Sequence, residues 1–431
     1  MKVGFVSLGC SKNLVVTEEM IGLFKKHNYE IVSNPEEAEI LLINTCGFID
    51  VAKEEGINTI LDMIEYKKKN CKYLIVTGCL VERYEDELRK EIPEVDLFVS
   101  IKNYDHLWKA ISSLINKEEN DKLDYHYREL TTGSNTAYLK IAEGCSNYCT
   151  YCAIPYIQGK YVSREYDDII DEVHMLVEKG ITEVVVIAQD TTKYGVDLYG
   201  KDRLPELLND LCKIDGIKWL RFLYSYPEGI SDELIDVVKN NDKICSYFDL
   251  PIQHISDEVL RRMNRKTNKE SITRLIEKLR KEIPNVILRT TLIVGFPGET
   301  EEQFNELYEF IDKYRFNHLG AFSYSKEDGT PASKFNDQVE EDIKEERRKK
   351  IMVLQQKISK ELLADKVGNT YEVLIEDITP DGKYFLGRSY MDVPSEDGLI
   401  YIKFKEGISI NDYYQVLITS STEYDLFGEI K

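Results

Sequence analysis

The sequence lacks any apolar run near the roughly 20 residues that a helix needs to cross a bilayer. Its first residues, MKVGFV, show no signal-peptide pattern. We therefore expect a cytoplasmic protein with no membrane partner. Internal repeats and low-complexity tracts are also missing, and with 42% hydrophobic and 31% charged residues the chain is not a disordered, collagen-like or disulfide-scaffold protein. Its 431 residues are enough for two or three domains with ordinary cores.

Positive charge is in short supply. The chain has 56 Lys and Arg against 77 Asp and Glu, which gives a formal net charge of −21. A surface this acidic repels phosphate backbones unless a local basic patch reverses the field. The composition therefore disfavours general nucleic-acid binding.

Residues 1–120 are predicted to form an N-terminal doubly wound α/β domain. Helical periodicity at residues 18–27 and 51–66 alternates with short apolar runs, and such alternation is typical of a parallel sheet covered on both faces. The runs that we interpret as strands are residues 3–8, 40–44, 73–77 and 97–99. A charged stretch without periodicity, residues 116–129, and the following Gly133-Ser134-Asn135 are predicted to be a linker.

Residues 131–365 are predicted to form a partial (βα)6 barrel, with its site at the carboxyl ends of the strands. Five helical stretches separate the strands, and a long charged helix over residues 340–365 closes the unit. The six strand-like runs are residues 138–142, 183–188, 219–224, 246–250, 286–294 and 318–324.

Residues 366–431 show alternating apolar and polar residues between turn signals, which predicts a small antiparallel β-barrel. This segment has six Lys or Arg and twelve Asp or Glu, and therefore a net charge of −6.

Nine cysteines in a reducing compartment indicate metal ligands or buried thiols rather than disulfides. Cys145, Cys149 and Cys152 form a CxxxCxxC loop directly after the first barrel strand. Three thiolates at this spacing can hold three irons of a 4Fe–4S cluster, and the fourth iron stays open to a ligand. The alternatives are a zinc knuckle or unrelated core thiols, but zinc usually takes four protein ligands and no obvious fourth is nearby.

A second group of thiols is predicted from topology, because Cys10, Cys46 and Cys79 each lie at the carboxyl end of a predicted strand. Parallel strands present these ends along one edge, where open sheets bind ligands. The adjacent Gly9, Gly47 and Gly78 would let the backbone turn tightly around a bulky group. The alternative is that short strands often end in small residues. The remaining three cysteines are interpreted as core thiols: Cys71, Cys212 and Cys245.

Several polar and glycine residues follow the other barrel strands and are candidates for cofactor binding. Each could instead be a satisfied loop residue, a helix cap in the case of Glu299, or a partner of a carboxylate in the case of Arg289. Of the six histidines only His254 is placed near this face. The candidates are Gln189, Asp190, Ser225, Gln253, Arg289, Gly295 and Glu299.

The CxxxCxxC loop on a βα barrel resembles the radical S-adenosylmethionine superfamily, whose three-cysteine motif has this spacing. The resemblance implies that the open iron binds S-adenosylmethionine and that electron transfer cleaves it to a carbon radical. Such a radical abstracts hydrogen from an unactivated C–H bond, which is chemistry of the cofactor rather than of the side chains. No catalytic residue beyond the cluster ligands is predicted.

The order of the three units resembles the methylthiotransferase family of these enzymes over essentially the whole chain. The resemblance implies two 4Fe–4S clusters, the second held by the N-terminal domain, and a C-terminal TRAM domain. It also implies insertion of sulfur into a C–H bond and its methylation, with two equivalents of S-adenosylmethionine consumed. Reduction of the clusters then needs a low-potential electron donor such as flavodoxin or ferredoxin.

Two substrate branches compete: the β-carbon of an aspartate in small-subunit ribosomal protein S-twelve, and a tRNA adenosine. Several segments look like the first branch, the RimO type, namely Ser7–Asn13, Ala188–Gly195, Cys152–Pro155 and Gly387–Ser389 with Asp392 and Pro394. One departure is Val15-Val16-Thr17-Glu18, where that pattern usually has Val-Asp-Ser-Glu.

Electrostatics favours the same branch, because an acidic C-terminal barrel should attract a basic ribosomal protein and repel free tRNA. The expected partner is therefore ribosomal protein S-twelve, either free or within the ribosomal subunit. A two-cluster radical activase and a two-cluster electron carrier are the alternatives from other functional classes.

Overall fold

The computed structural model describes residues 1–117, 119–133 and 135–431. Glu118 and Ser134, which belong to the predicted linker, lie outside the described residues. No helix in the described parts of the chain is long and apolar enough to cross a membrane. The sheets follow one another along the chain as three units.

The first unit is a five-stranded parallel sheet with the order β2-β1-β3-β4-β5. The strand order reverses between β1 and β3, which is the switch point of a flavodoxin-like doubly wound fold. Its strands are β1 (Lys2–Ser7), β2 (Glu30–Ile31), β3 (Ile40–Thr45), β4 (Tyr73–Gly78) and β5 (Leu97–Val99). Its helices are α1 (Ser11–Lys26), α2 (Asp50–Ile64), α3 (Cys79–Glu91) and α4 (Leu107–Leu114).

Helix α1 begins earlier than the apolar periodicity predicts. The Asn13 side chain in its first turn donates hydrogen bonds to the backbone oxygens of Leu8 and Thr45, both at 3.1 Å. Polar contacts therefore hold the first turn of α1, and a pattern of apolar residues does not reveal them. The start of the helix is thereby tied to the ends of β1 and β3.

The second unit contains six parallel strands in two three-stranded sheets, β10-β9-β6 and β11-β12-β13. A parallel bridge between Leu220 and Ile244 joins the two sheets, which confirms a partial barrel. The strands are β6 (Thr136–Lys140), β7 (Ala142–Glu143), β8 (Val162–Ser163), β9 (Glu183–Ile187), β10 (Trp219–Phe222), β11 (Tyr247–Asp249), β12 (Ile287–Val294) and β13 (His318–Ser323), of which β7 and β8 form a separate short pair.

Helices cover the outside of this barrel, and one large apolar cluster lies between them and the strands. They are α5 (Ile154–Ile157), α6 (Tyr166–Glu178), α7 (Val196–Tyr199), α8 (Leu204–Leu211), α9 (Asp232–Asn240), α10 (Asp257–Arg262), α11 (Lys269–Glu282), α12 (Glu301–Tyr314) and α13 (Glu341–Ala364). The alternate residues of the strands, such as Tyr138 and Val185, face the other way and pack against the third unit.

The third unit is a closed five-stranded barrel with the order β14-β15-β16-β18-β17. Four of its five strand pairs are antiparallel, and β16 pairs with β18 in parallel. The parallel pair arises because β17 lies beside β14, so that β18 closes the barrel between β17 and β16. The strands are β14 (Thr370–Ile378), β15 (Tyr384–Arg388), β16 (Ile400–Lys403), β17 (Tyr413–Ser421) and β18 (Leu426–Ile430).

A fully buried ion-pair network joins the two barrels. The Glu183 carboxylate accepts hydrogen bonds at 2.6 Å from Arg221 of β10 and from Arg388 of β15. Burial alone would raise the pKa of the Glu183 carboxyl, but the two guanidinium groups outweigh it and lower this pKa to about 2. The charge of Glu183 therefore compensates two arginines that water does not reach.

We expect Glu183→Gln to destabilise the protein by about 3–5 kcal/mol, because it leaves the buried Arg221 guanidinium without its anion and leaves Arg388 with Glu376 alone. The free energy of unfolding in denaturant measures this effect. The matched control is Glu372→Gln, which removes an exposed pair with Lys218 at 2.8 Å across the same interface. The control should cost about 0–1 kcal/mol, and an equal loss in both variants would contradict this account.

The same carboxylate predicts a pH dependence. Because its pKa is lowered from 4.5 to about 2 on folding, its contribution is complete above pH 4.5 and is lost as the pH falls towards 2. The stability difference between wild type and Glu183→Gln should therefore shrink over this range. Denaturant titrations at several pH values would measure it, and a constant difference down to pH 2 would be inconsistent with the buried pair.

Candidate active site at the barrel mouth

The CxxxCxxC loop lies at the carboxyl end of the first barrel strand, as predicted. Cys145 and Cys149 are buried, and Cys152 is partly buried. The loop is held from both sides: the Asn147 side chain donates to Asp190 Oδ2 at 2.7 Å, and Asn264 donates to the backbone oxygen of Tyr148 at 3.0 Å. The three thiols are thereby fixed at one place on the rim.

A buried arginine lies beside these thiols. The Arg265 guanidinium stacks 4.0 Å over the Tyr226 ring and donates from Nη2 to the Pro251 backbone oxygen at 2.9 Å. Its Nε and Nη1 have no hydrogen-bond partner in the described structure. Burial raises the pKa of Cys145 to about 11, and the charge of Arg265 opposes that shift. Unpaired donors at this position suit a group of negative charge among the thiols.

Cys10, Cys46 and Cys79 meet at the edge of the N-terminal sheet. A Cβ atom at Gly9, next to Cys10, would lie only 3.0 Å from Cys46 Sγ. Burial, together with the neighbouring thiols of Cys46 and Cys10, raises the pKa of Cys79 to about 12. Cys10 and Cys46 follow β1 and β3, the strands that flank the switch point where this fold binds ligands.

Cys79 brings the second group of cysteines against the residues that follow the CxxxCxxC loop. Gln158 Nε2 lies 4.0 Å from Cys79 Sγ, and Gln158 Oε1 accepts a hydrogen bond at 2.8 Å from Gln189 at the end of β9. Cys79 also packs in an apolar cluster with Ala153 and Ile157, directly after the CxxxCxxC loop. The edge of the N-terminal sheet therefore covers the barrel mouth.

Ion pairs lock this arrangement on the other side of the mouth. Glu327, which follows β13 and is buried, binds Arg83 at 2.9 Å and Lys53 at 3.0 Å, both from the N-terminal domain. Arg83 also donates to the backbone oxygen of Gly47 at 2.7 Å, beside Cys46. The position of the second group of thiols is thus coupled to the barrel.

A largely apolar cavity of about 600 Å³ opens at this junction. Its size falls in the usual range for small-molecule sites. The side-chain oxygen of Gln253 is buried and has no hydrogen-bond partner among the described residues. The Gln253 backbone is in the left-handed region, with φ +67°. The residues that line the cavity include Phe48, Tyr151, Gln253, Thr291, Phe322 and Arg348.

The thiol arrangement distinguishes a cluster from a single ion. Among the described residues no three His, Cys, Asp or Glu side chains converge to hold one metal ion. Zinc needs all of its ligands about 2.0–2.3 Å from one point, whereas an iron–sulfur cubane bonds each thiolate to a different iron. Buried or partly buried thiols that do not converge on one point, with unpaired Arg265 donors beside the CxxxCxxC loop, fit the larger group.

Four of the predicted cofactor residues lie at this mouth, in different roles. Gln189 donates a hydrogen bond to Gln158, the residue that lies against Cys79, and Gln253 lines the cavity. Asp190 holds the CxxxCxxC loop through Asn147 and also accepts a hydrogen bond from Thr192. Ser225 is fully buried, and its hydroxyl lies 3.3 Å from that of Thr191.

Arg289 points away from the mouth, in contrast to the prediction. Its guanidinium binds Glu396 at 2.6 Å and Asp397 at 3.0 Å, both in the C-terminal barrel. The geometry therefore favours the alternative role for Arg289, a pair with carboxylates, because the third unit supplies acidic partners at that end of β12.

Gly295 and Glu299 also contact other segments of this chain. A Cβ atom at Gly295 would clash with the Lys344 side chain, so this glycine allows α13 to approach closely. The Glu299 carboxylate accepts from the Gly295 backbone N–H at 2.8 Å and binds Arg347 at 2.9 Å, and His254 Nε2 lies 3.5 Å away. The alternative role for Glu299, a helix cap, is not found either, because Thr300 is the cap of α12 and accepts from the Gln303 backbone N–H.

Sequence reasoning missed Gln158 and Arg265. Gln158 follows the short helix α5, and Arg265 follows α10, more than 100 residues after the loop it supports. Neither has a local signal, because each becomes part of the site only through tertiary packing. Cys71, Cys212 and Cys245 are buried, as predicted.

Comparisons with family models cover the three units separately. Residues 2–100 match the Uncharacterized protein family UPF0004, residues 139–311 match the Radical SAM superfamily, and residues 367–430 match the TRAM domain. A full-length relative from Alkaliphilus oremlandii, named ribosomal protein uS12 methylthiotransferase RimO, is 61% identical over 100% of this chain and 99% of that protein. The chain belongs to the RimO methylthiotransferase family. Its radical SAM domain implies a 4Fe–4S cluster and S-adenosylmethionine as cofactors.

Further members of the family are similar over the whole chain. Relatives of the same name from Clostridium botulinum and Clostridioides difficile are 51% and 49% identical over 100% of this chain, and over 98% and 99% of their own lengths. Among solved structures, the radical S-adenosylmethionine methyltransferase TsrM from Kitasatospora setae matches with a TM-score of 0.58 and 13% identity over 77% of this chain and 76% of that one. At this identity the structural match supports the fold alone.

We expect Arg265→Leu to lower the iron content of the reconstituted protein, because the unpaired donors and the positive charge beside the CxxxCxxC loop are lost. Iron and sulfide per chain measure this directly. The control is Arg261→Leu, which removes an exposed arginine of α10 that pairs with Glu258. Full iron content in Arg265→Leu would contradict a role for this residue at the cluster.

Proposed function

We propose that this chain adds a methylthio group to the β-carbon of an aspartate in small-subunit ribosomal protein S-twelve, which is also called uS12. The observation that carries the proposal is the contact of Cys79 with Gln158, Ala153 and Ile157, which follow the CxxxCxxC loop, in a chain of the RimO family. When bound there, the clusters and S-adenosylmethionine supply the carbon radical, the sulfur-binding iron and the methyl group. The side chains hold these groups and exclude water from them.

Each thiol group has a separate task in this proposal. Cys145, Cys149 and Cys152 hold the cluster that reacts with S-adenosylmethionine in the barrel. Cys10, Cys46 and Cys79 hold a second 4Fe–4S cluster on the N-terminal domain. Gln253 and Gln189 contact the cofactor from the barrel mouth, and the cavity of about 600 Å³ admits the substrate side chain.

The surface charge supports a protein substrate. The net charge of −21, with −6 in the C-terminal barrel, attracts a basic ribosomal protein and repels free tRNA. We place the reaction in the cytoplasm, on uS12 either free or within the ribosomal subunit, with a low-potential donor such as flavodoxin or ferredoxin. Association with uS12 should slow as salt rises, because steering by exposed charges is screened.

The assay is anaerobic reconstitution with iron and sulfide, followed by incubation with S-adenosylmethionine, a reductant and a uS12 peptide or tRNA. Mass spectrometry should show a methylthio group on the aspartate of the peptide and none on tRNA. Methylthio on a tRNA adenosine would overturn the substrate. Cleavage of S-adenosylmethionine without sulfur on either would favour a radical activase.

Variants of the thiols separate the two sites. We expect Cys79→Ala to keep cleavage of S-adenosylmethionine and to lose the methylthio product, whereas Cys149→Ala should lose both. Cys212→Ala, which changes a buried core thiol of the barrel, is the matched control and should keep both. Methylthio product from Cys79→Ala at the wild-type rate would contradict a second cluster at that site.

A further inference from the structure

Lys12 is a buried cation that has no carboxylate partner among the described residues. It lies in the first turn of α1, two residues after Cys10, and only 7% of its surface is exposed. Among the described residues no carboxylate oxygen lies within 4.0 Å of its ammonium, since every ion pair of this structure involves other groups. A buried charge is costly unless it is paired, and no carboxylate of the described residues pairs with this ammonium, so a bound carboxylate would be favoured beside it.

The position of Lys12 increases that cost. The amino-terminal end of a helix carries a partial positive charge, and a cation there is unfavourable. The first turn of α1, which has 16 residues, contains no acidic residue to offset it. Besides the thiol of Cys10 and the phenol of Tyr224, the Glu396 carboxylate also acts on Lys12, but that carboxylate is bound to Arg289 at 2.6 Å.

An aromatic ring holds the ammonium in place. Lys12 Nζ lies 3.5 Å from the centre of the Tyr224 ring, a cation–π contact. Tyr224 follows β10 at the barrel mouth and has a left-handed backbone, with φ +59°. Its backbone N–H donates to Asp249 Oδ2 at 2.8 Å, and its backbone oxygen accepts from the Thr191 N–H at 3.2 Å. The barrel thus fixes the Tyr224 ring against the ammonium of Lys12, which belongs to the N-terminal domain.

We propose that Lys12 is a specificity-determining residue that binds the side-chain carboxylate of the substrate aspartate. The inference rests on the proposed function, in which the reacting β-carbon is bonded directly to that carboxylate. A carboxylate held by Lys12 would bring the β-carbon close to Cys10, because Lys12 follows Cys10 by two residues in the first turn of α1. An ion pair shielded from water also excludes neutral side chains of the same shape, such as asparagine.

The test measures binding of a labelled uS12 peptide to the reconstituted holoenzyme by fluorescence anisotropy, with either Asp or Asn at the modified position. Wild type should bind the Asp peptide about 30-fold or more tightly than the Asn peptide, because one partner of a buried pair is lost. Lys12→Met should bind both peptides equally and weakly. Lys12→Arg, which keeps the charge, should retain part of the preference.

The matched control is Lys25→Met, in the last turn of the same helix, where the lysine is half exposed and pairs with Glu129 at 2.9 Å. It should bind the Asp peptide as wild type does. Iron content and cleavage of S-adenosylmethionine without peptide show whether Lys12→Met is folded and loaded. The Asp and Asn comparison on wild type needs no variant and tests the inference even if Lys12→Met does not fold.

The outcomes separate this inference from the proposed function. If wild type forms no methylthio product on the peptide, the proposed function itself fails. If the product forms but Lys12→Met still prefers Asp over Asn, or wild type binds both peptides alike, Lys12 is not the carboxylate site. Loss of iron in Lys12→Met together with an unchanged preference for Asp would assign Lys12 to the cluster and would also overturn the inference.

Discussion

Parallel strands end at one edge of their sheet, and the arrangement of this site depends on that constraint. In the N-terminal domain it brings Cys10, Cys46 and Cys79 together although they are far apart in the sequence. In the barrel it places the CxxxCxxC loop and the loops after β9, β10 and β11 around one mouth. Because the edge of the sheet lies on this mouth, the two groups of thiols meet across a domain boundary.

Buried charge maintains this geometry. The network of Glu183, Arg221 and Arg388 joins the barrel to the C-terminal unit, and Glu327 with Arg83 and Lys53 joins it to the N-terminal domain. Each of these carboxylates binds at least one cation of a neighbouring domain. Two cations at the mouth differ from them: Arg265 keeps unpaired donors, and Lys12 has an aromatic ring but no carboxylate. Two buried cations of this acidic protein therefore lie where anionic groups are expected to bind.

The fold and the six cysteines could be predicted from the sequence because their signals are local. Strands are short apolar runs, and a cysteine at the end of such a run has its position fixed by topology alone. Arg289, Gly295 and Glu299 could not be assigned in this way, since their partners come from other segments: Asp397 from the C-terminal barrel, and Lys344 and Arg347 from α13. The same applies to Arg265 and to Tyr224 beneath Lys12. A strand end places a residue near a site, but only tertiary contacts decide which way its side chain points.

The central claim is that two clusters face each other across one mouth, and electron paramagnetic resonance of the reduced holoenzyme tests it most directly. The spectrum of wild type is compared with the spectra of two variants, one with Cys10, Cys46 and Cys79 changed to Ala and one with Cys145, Cys149 and Cys152 changed to Ala. The account predicts magnetic coupling in wild type, with broadened signals and faster relaxation than in either variant. A wild-type spectrum equal to the sum of the two variant spectra would contradict it.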